Sequence, residues 1–74
     1  MNQLAIFEPS GAELATLAAS TYATAENLQK QSNLLQTRGF MAAAHAYARK
    51  AIDAFESAFV FEMAAQFELE AGLQ

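Results

Sequence analysis

The sequence predicts an all-α fold: an antiparallel hairpin of two helices, at about residues 11–37 and 40–71, preceded by an extended N-terminal arm over residues 1–9. Three observations predict it. Small residues recur at every seventh position in both halves, as Gly11, Ala18, Ala25 and Ser32 and again as Ala44, Ala51, Ala58 and Ala65. A seven-residue period keeps one narrow seam of a helix turned toward a neighbour, and side chains this small let two backbones come close. Ser10-Gly11-Ala12-Glu13 has the pattern of a capping box, with a hydroxyl at the cap and a carboxylate three residues on. Gly39 stands between the two striped segments, where a glycine ends a helix.

The arm comes first. Leu4, Ile6 and Phe7 are bulky, and Pro9 disfavours helix at Glu8, so an extended segment is expected before the cap. In the first helix the Ser10 hydroxyl accepts from the Glu13 amide while the Glu13 carboxylate reaches back to the Ser10 amide. Leu14, Leu17, Thr21, Leu28 and Leu35 then follow at helical spacing beside the small stripe, and Gln29, Gln31, Asn33 and Gln36 cover the outer surface. Arg38 suits the negative end of this helix, immediately before Gly39. The rival reading is one uninterrupted helix over residues 11–71, because a single glycine costs only about 1 kcal/mol against alanine. The hairpin is preferred because two segments folded back on each other bury both seams, and a rod buries neither.

The second helix has no internal breaker. Phe40, Ala44, Tyr47, Ala48, Ala51, Ile52, Phe55, Ala58 and Phe59 fall on one face, with Arg49, Asp53, Glu56 and Ser57 opposite. Beyond Phe59 the pattern changes. Val60, Phe61, Met63, Ala64 and Phe67 spread around the helix, and Glu62 enters the apolar face. A helix that is apolar on several sides expects several neighbours.

Size sharpens that expectation. A chain of 74 residues is one small helical-hairpin domain. Domains this short seldom hold together on one core without a staple, and with no cysteine the chain has no disulfide or thiolate site. At 54% hydrophobic and 16% charged, it carries more apolar surface than a two-helix object can enclose. Self-association, with a homodimer as the simplest case, or docking on a partner is therefore expected.

The formal net charge is −4 and its distribution is uneven. Lys30, Arg38, Arg49 and Lys50 are the only basic residues, and residues 51–74 carry Asp53, Glu56, Glu62, Glu68 and Glu70 with no basic residue at all. Four scattered cations do not form a nucleic-acid stripe, and an acidic end disfavours phosphate. The uncharged stretch Leu14–Ala25 is too short and too rich in Thr and Ser to span a bilayer. No charged leader precedes an apolar run. A soluble, cytoplasmic protein is expected.

Chemistry is sparse. His45 is the only histidine, and no carboxylate lies three or four residues from it, so no metal centre is read. No nucleophile turn and no glycine-rich phosphate loop occur. A two-helix chain offers little concavity for a substrate. No catalytic residue, cofactor or metal is assigned, and an enzyme is not expected.

The candidate partner-binding residues are Phe55, Phe59, Phe61, Glu62, Met63, Phe67, Glu68, Leu69 and Glu70. Aromatic anchors dominate many interfaces, and rim acids orient a partner. Phe59, Phe61 and Phe67 lie near about 100°, 300° and 180° on the helical wheel, so they cannot share one seam. Glu68 and Glu70 sit near a helix C-terminus, where negative charge is unfavourable unless a basic surface lies opposite.

Three resemblances were weighed. Gly39, Ala44, Ala51 and Ile52 are similar to the turn, small and apolar positions of tetratricopeptide repeats, but the first-helix aromatic is missing and one unit stands where about three are needed. The helix–turn–helix size is similar to that of the small secreted WXG hairpins, but Arg38-Gly39-Phe40 lacks their Trp. Ala54-Phe55-Glu56-Ser57-Ala58-Phe59, leading into an Ala- and Phe-rich helix, resembles phasins over under a third of the chain. That resemblance implies an amphipathic protein coating a lipid or polymer surface.

The residues themselves imply a non-catalytic protein–protein interaction module: an adaptor, an assembly subunit, or a small inhibitor of a larger macromolecular complex. The compact, acidic, cysteine-free composition is similar to that of phage-encoded counter-defence inhibitors.

Overall fold

The structure is a computed structural model describing residues 10–72, and the arm expected over residues 1–9 lies outside them. Two helices, α1 (Gly11–Thr37) and α2 (Met41–Gly72), pack against each other as a hairpin. The uninterrupted-rod alternative is thereby excluded.

The start of α1 is the capping box. The Glu13 amide donates to Ser10 Oγ at 3.1 Å, and the Ser10 amide donates to Glu13 Oε1 at 2.9 Å. Two of the amides that a helix start leaves unpaired are thus satisfied reciprocally. The Ser10 amide foremost, and the Ser10 hydroxyl after it, favour the Glu13 carboxylate and hold its carboxyl below its usual pKa.

The end of α1 is a Schellman turn. The Phe40 amide donates to the Leu35 carbonyl at 2.9 Å and the Gly39 amide to the Gln36 carbonyl at 3.0 Å. Closing these bonds puts Gly39 at φ 88°, a left-handed conformation that a side chain disfavours. Phe40 is the single residue between this turn and α2, and its carbonyl accepts from the Ala44 amide at 2.9 Å. Two short hydrogen-bonded turns thus reverse the chain.

The small stripes form the interior. Gly11, Ala18, Ala25 and Ser32 are the buried residues of α1, and Ala44, Ala51, Ala58 and Ala65 those of α2. Ala25, Ala51 and Ala58 are completely inaccessible. The close approach is visible in one bond: the Ser32 hydroxyl, one of the shortest polar side chains, reaches across and donates to the Ala44 carbonyl at 2.7 Å. At the open end a Cβ on Gly11 would lie 2.7 Å from Leu69 Cγ, so a hydrogen is what fits there.

A seam of alanines leaves the bulky residues outside it. Among the described residues no large side chain is fully buried. The broad apolar face expected on α2 is therefore narrower than predicted. Ala44, Ala51 and Ala58 fill the seam, whereas Phe40, Ile52 and Phe59 are more than half exposed. The physical reason is the closeness of the helices: a seven-residue seam admits one narrow row, and larger side chains must flank it. The hairpin measures 54 × 27 × 13 Å, about one helix thick, so among the described residues nothing covers either broad face.

Candidate functional site

Each helix flanks its buried stripe with two rows, one three positions after the stripe residues and one four positions after. The four-after row of α1 includes Ala15 and Tyr22, and that of α2 includes Phe55, Glu62 and Leu69. Tyr22 establishes that these two rows share one side. Its hydroxyl donates to Glu62 Oε1 at 2.8 Å, and its ring centroid lies 6.2 Å from that of Phe55 at 52°. The tilted ring pair is a favourable aromatic arrangement. The hydrogen bond to Glu62, with lesser help from desolvation and the Glu62 charge, pushes the Tyr22 phenol above its usual pKa. Beside this pair an open depression of about 340 Å³ is lined by Ala15, Ala18, Tyr22, Glu62, Ala65 and Leu69 among others.

The three-after rows must then share the opposite side. From α1 they bring Leu14, Thr21, Leu28 and Leu35, all half-buried. From α2 they bring Tyr47, Ala54, Phe61 and Glu68, spaced by seven, with Phe40 just before the helix, seven residues ahead of Tyr47. Ala54 and Phe61 are half-buried, while Phe40 is 60% and Tyr47 38% exposed. We call this the leucine face. Glu68 is its only acid, and Lys50, whose Nζ lies 6.0 Å from the Tyr47 ring centroid, stands at its rim.

The nine predicted partner-binding residues are thus divided, not gathered. Phe55, Glu62 and Leu69 stand on the tyrosine side, and Phe61 and Glu68 on the leucine face. Phe59, Met63, Phe67 and Glu70 point away from the seam, with Phe59 and Phe67 largely exposed. Phe55 and Glu62 are engaged with Tyr22, so they brace the hairpin. Phe59, Phe61 and Phe67 diverge as the helical wheel requires. Sequence reasoning missed Tyr22 and the cross-helix bond of Ser32. Both were recoverable from heptad position once the register was known, because Tyr22 stands four residues after Ala18 just as Glu62 stands four after Ala58.

The charges separate along the hairpin. Lys30, Arg38, Arg49 and Lys50 all lie nearer Gly39 along the chain than any described acidic residue does. The turn end is therefore basic and the open end, with Glu13, Glu62, Glu68 and Glu70, acidic.

His45 is exposed near the start of α2. Among the described residues no group of three His, Asp or Glu side chains stands where it could hold a metal ion. No described helix is long and apolar enough to cross a membrane. Comparisons with protein-family models, curated proteins and solved structures found no match.

Proposed function

We propose that this chain is a non-catalytic protein–protein interaction module, acting as an adaptor, an assembly subunit or a small inhibitor of a larger complex. The observation that supports this reading is the absence, among the described residues, of any fully buried large side chain. Alanines hold the hairpin together, and the aromatic and leucine side chains that ordinarily supply a core are left on its surfaces. Fully burying one Phe or Leu is worth about 1.5–3 kcal/mol, so a partner covering three or four of them supplies most of a stable contact. The single-layer shape points the same way, since a helix layer is normally completed by a second layer. Phage-type counter-defence is one setting in which such an inhibitor works, and a cytoplasmic location belongs to the same proposal.

The phasin-like alternative draws on Phe59, Val60 and Phe67, which α2 turns outward. Asp53, Glu56 and Glu70 are exposed on that same outer surface. Interfacial helices usually separate their apolar and polar sides and place Lys and Arg on the polar one. The mixture here favours a protein partner over a lipid or polymer surface.

The test is cross-linking in the source cell with the tagged full chain, compared with a Phe61→Asp, Phe67→Asp variant of equal helicity. The reading expects discrete cross-linked protein products, either a second copy or another protein, that the variant loses. Recovery of lipid or polymer granules alone, or no product at all, overturns it.

A further inference from the structure

The leucine face is built to meet itself. Along α2 and the residue that precedes it, the face presents Phe40, Tyr47, Ala54, Phe61 and Glu68 at equal intervals of seven residues. Reversed about Ala54, this row places Tyr47 on Phe61 of a second copy and Ala54 on Ala54. Bulky residues then meet bulky residues on either side of a small waist, and the half-buried leucines of α1 lie alongside.

Shape alone allows two stackings, with the turns at the same end or at opposite ends. Charge decides between them. Every cation lies nearer the turn than any described acid, and Glu13, Glu62, Glu68 and Glu70 lie toward the open end. Stacking the turns together sets the basic ends side by side and the acidic ends side by side. Reversing one copy sets each basic turn over an acidic open end, and brings Glu68 onto the Phe40 end where Arg38 stands. Complementary potentials of this kind fix orientation.

Resting on the reading of the chain as an interaction module, we infer that its partner is a second copy of itself. The two leucine faces pack with the hairpins head to tail, forming a four-helix bundle with α2 antiparallel to α2. Such bundles bury facing apolar rows in this way. The tyrosine side stays outside, because its polar groups are already engaged within one chain.

The test is a spin-label distance measurement on full-length Thr37→Cys, an exposed site beside the turn in a chain with no native cysteine. The head-to-tail dimer gives a single distance of roughly 40 Å, from a rise of 1.5 Å per residue, and the alternative stacking roughly 20 Å or less. Sedimentation of Tyr47→Asp should show association weakened at least tenfold with helicity kept, and Ile52→Asp, outside the leucine face, should leave it unchanged. If Tyr47→Asp loses helicity, the label distance decides alone. A dimer with the short distance, or one weakened by Ile52→Asp and not by Tyr47→Asp, overturns the inference and leaves the interaction-module reading standing. A monomer at 100 µM overturns the inference as well. If specific cross-links to another protein persist in the cell, the broader reading survives that result.

Discussion

The Ser32 hydroxyl donates to the Ala44 carbonyl oxygen at 2.7 Å, inside the seam and twelve residues away in sequence. It pins the turn end of the hairpin and sets the register from which the small residues of both helices follow at intervals of seven. Ser32→Ala should cost about 0.5–1.5 kcal/mol in denaturant melts, the usual net worth of one hydrogen bond. Ser32→Val should cost more, since it loses the bond and adds bulk where the residue is 5% exposed.

Ala51 and Ala58 are inaccessible to solvent and face the opposite helix. Ala51→Leu or Ala58→Leu should destabilise by about 1–3 kcal/mol through overpacking, read as a lower denaturant midpoint. Ala23→Leu, on the exposed side of α1, should stay within about 0.5 kcal/mol of the parent. Unchanged or raised melting in both seam variants would contradict the close-packed seam.

Gly39 and Gly72 separate backbone strain from space. Among the described residues a Cβ at either position would meet no atom within 4 Å, but only Gly39 sits at positive φ. Gly39→Ala should therefore lose about 1–2 kcal/mol, the cost of a left-handed conformation for a residue with a Cβ. Gly72→Ala should be neutral or slightly stabilising, which thermal melts of the two single variants will compare directly.

At the start of α1, Ser10→Ala should cost on the order of 1 kcal/mol. Glu13→Gln should be milder at neutral pH, because an amide can still close the box. The folded-state pKa of Glu13 is lowered from 4.5, so its contribution is full above that value and is lost as pH falls through the lowered one. Melts between pH 6 and pH 2 should show a component of acid destabilisation in the parent that Glu13→Gln lacks.

Tyr22 has the opposite sign. Its folded-state pKa is raised above 10.0 by the bond to Glu62, so its contribution holds below 10.0 and is lost as pH rises through the raised value. A phenolate there faces the Glu62 carboxylate. Tyr22→Phe keeps the ring on Phe55 but loses the bond to Glu62, so it should lower stability at pH 7 and flatten the alkaline limb.

What was legible in the sequence was whatever local chemistry or strict period dictates. Ser10 and Glu13 announce the cap, Gly39 announces the turn, and the heptad of small residues names the eight positions buried among the described residues. What was not legible depends on which rows the return of the chain brings together. The sequence groups Phe55 and Glu62 with Phe59 and Phe67 as partner-binding candidates, because nothing local to α2 shows what α1 brings alongside them. Only the antiparallel pairing places Tyr22 between them and splits the group. The separation of charge along the hairpin was also hidden, since Lys30 and Lys50 become neighbours in height only after the chain reverses at Gly39.

The most direct test of the central claim, that this hairpin is completed by a second copy of itself through its uncovered apolar side chains, is sedimentation equilibrium of the full chain from 1 to 100 µM. The account predicts the mass of two copies at tens of micromolar, and the mass of one copy for the Phe61→Asp, Phe67→Asp variant at the same concentrations with helicity retained. A parent chain that stays a single copy across the whole range, or a variant that associates as strongly as the parent, would contradict it.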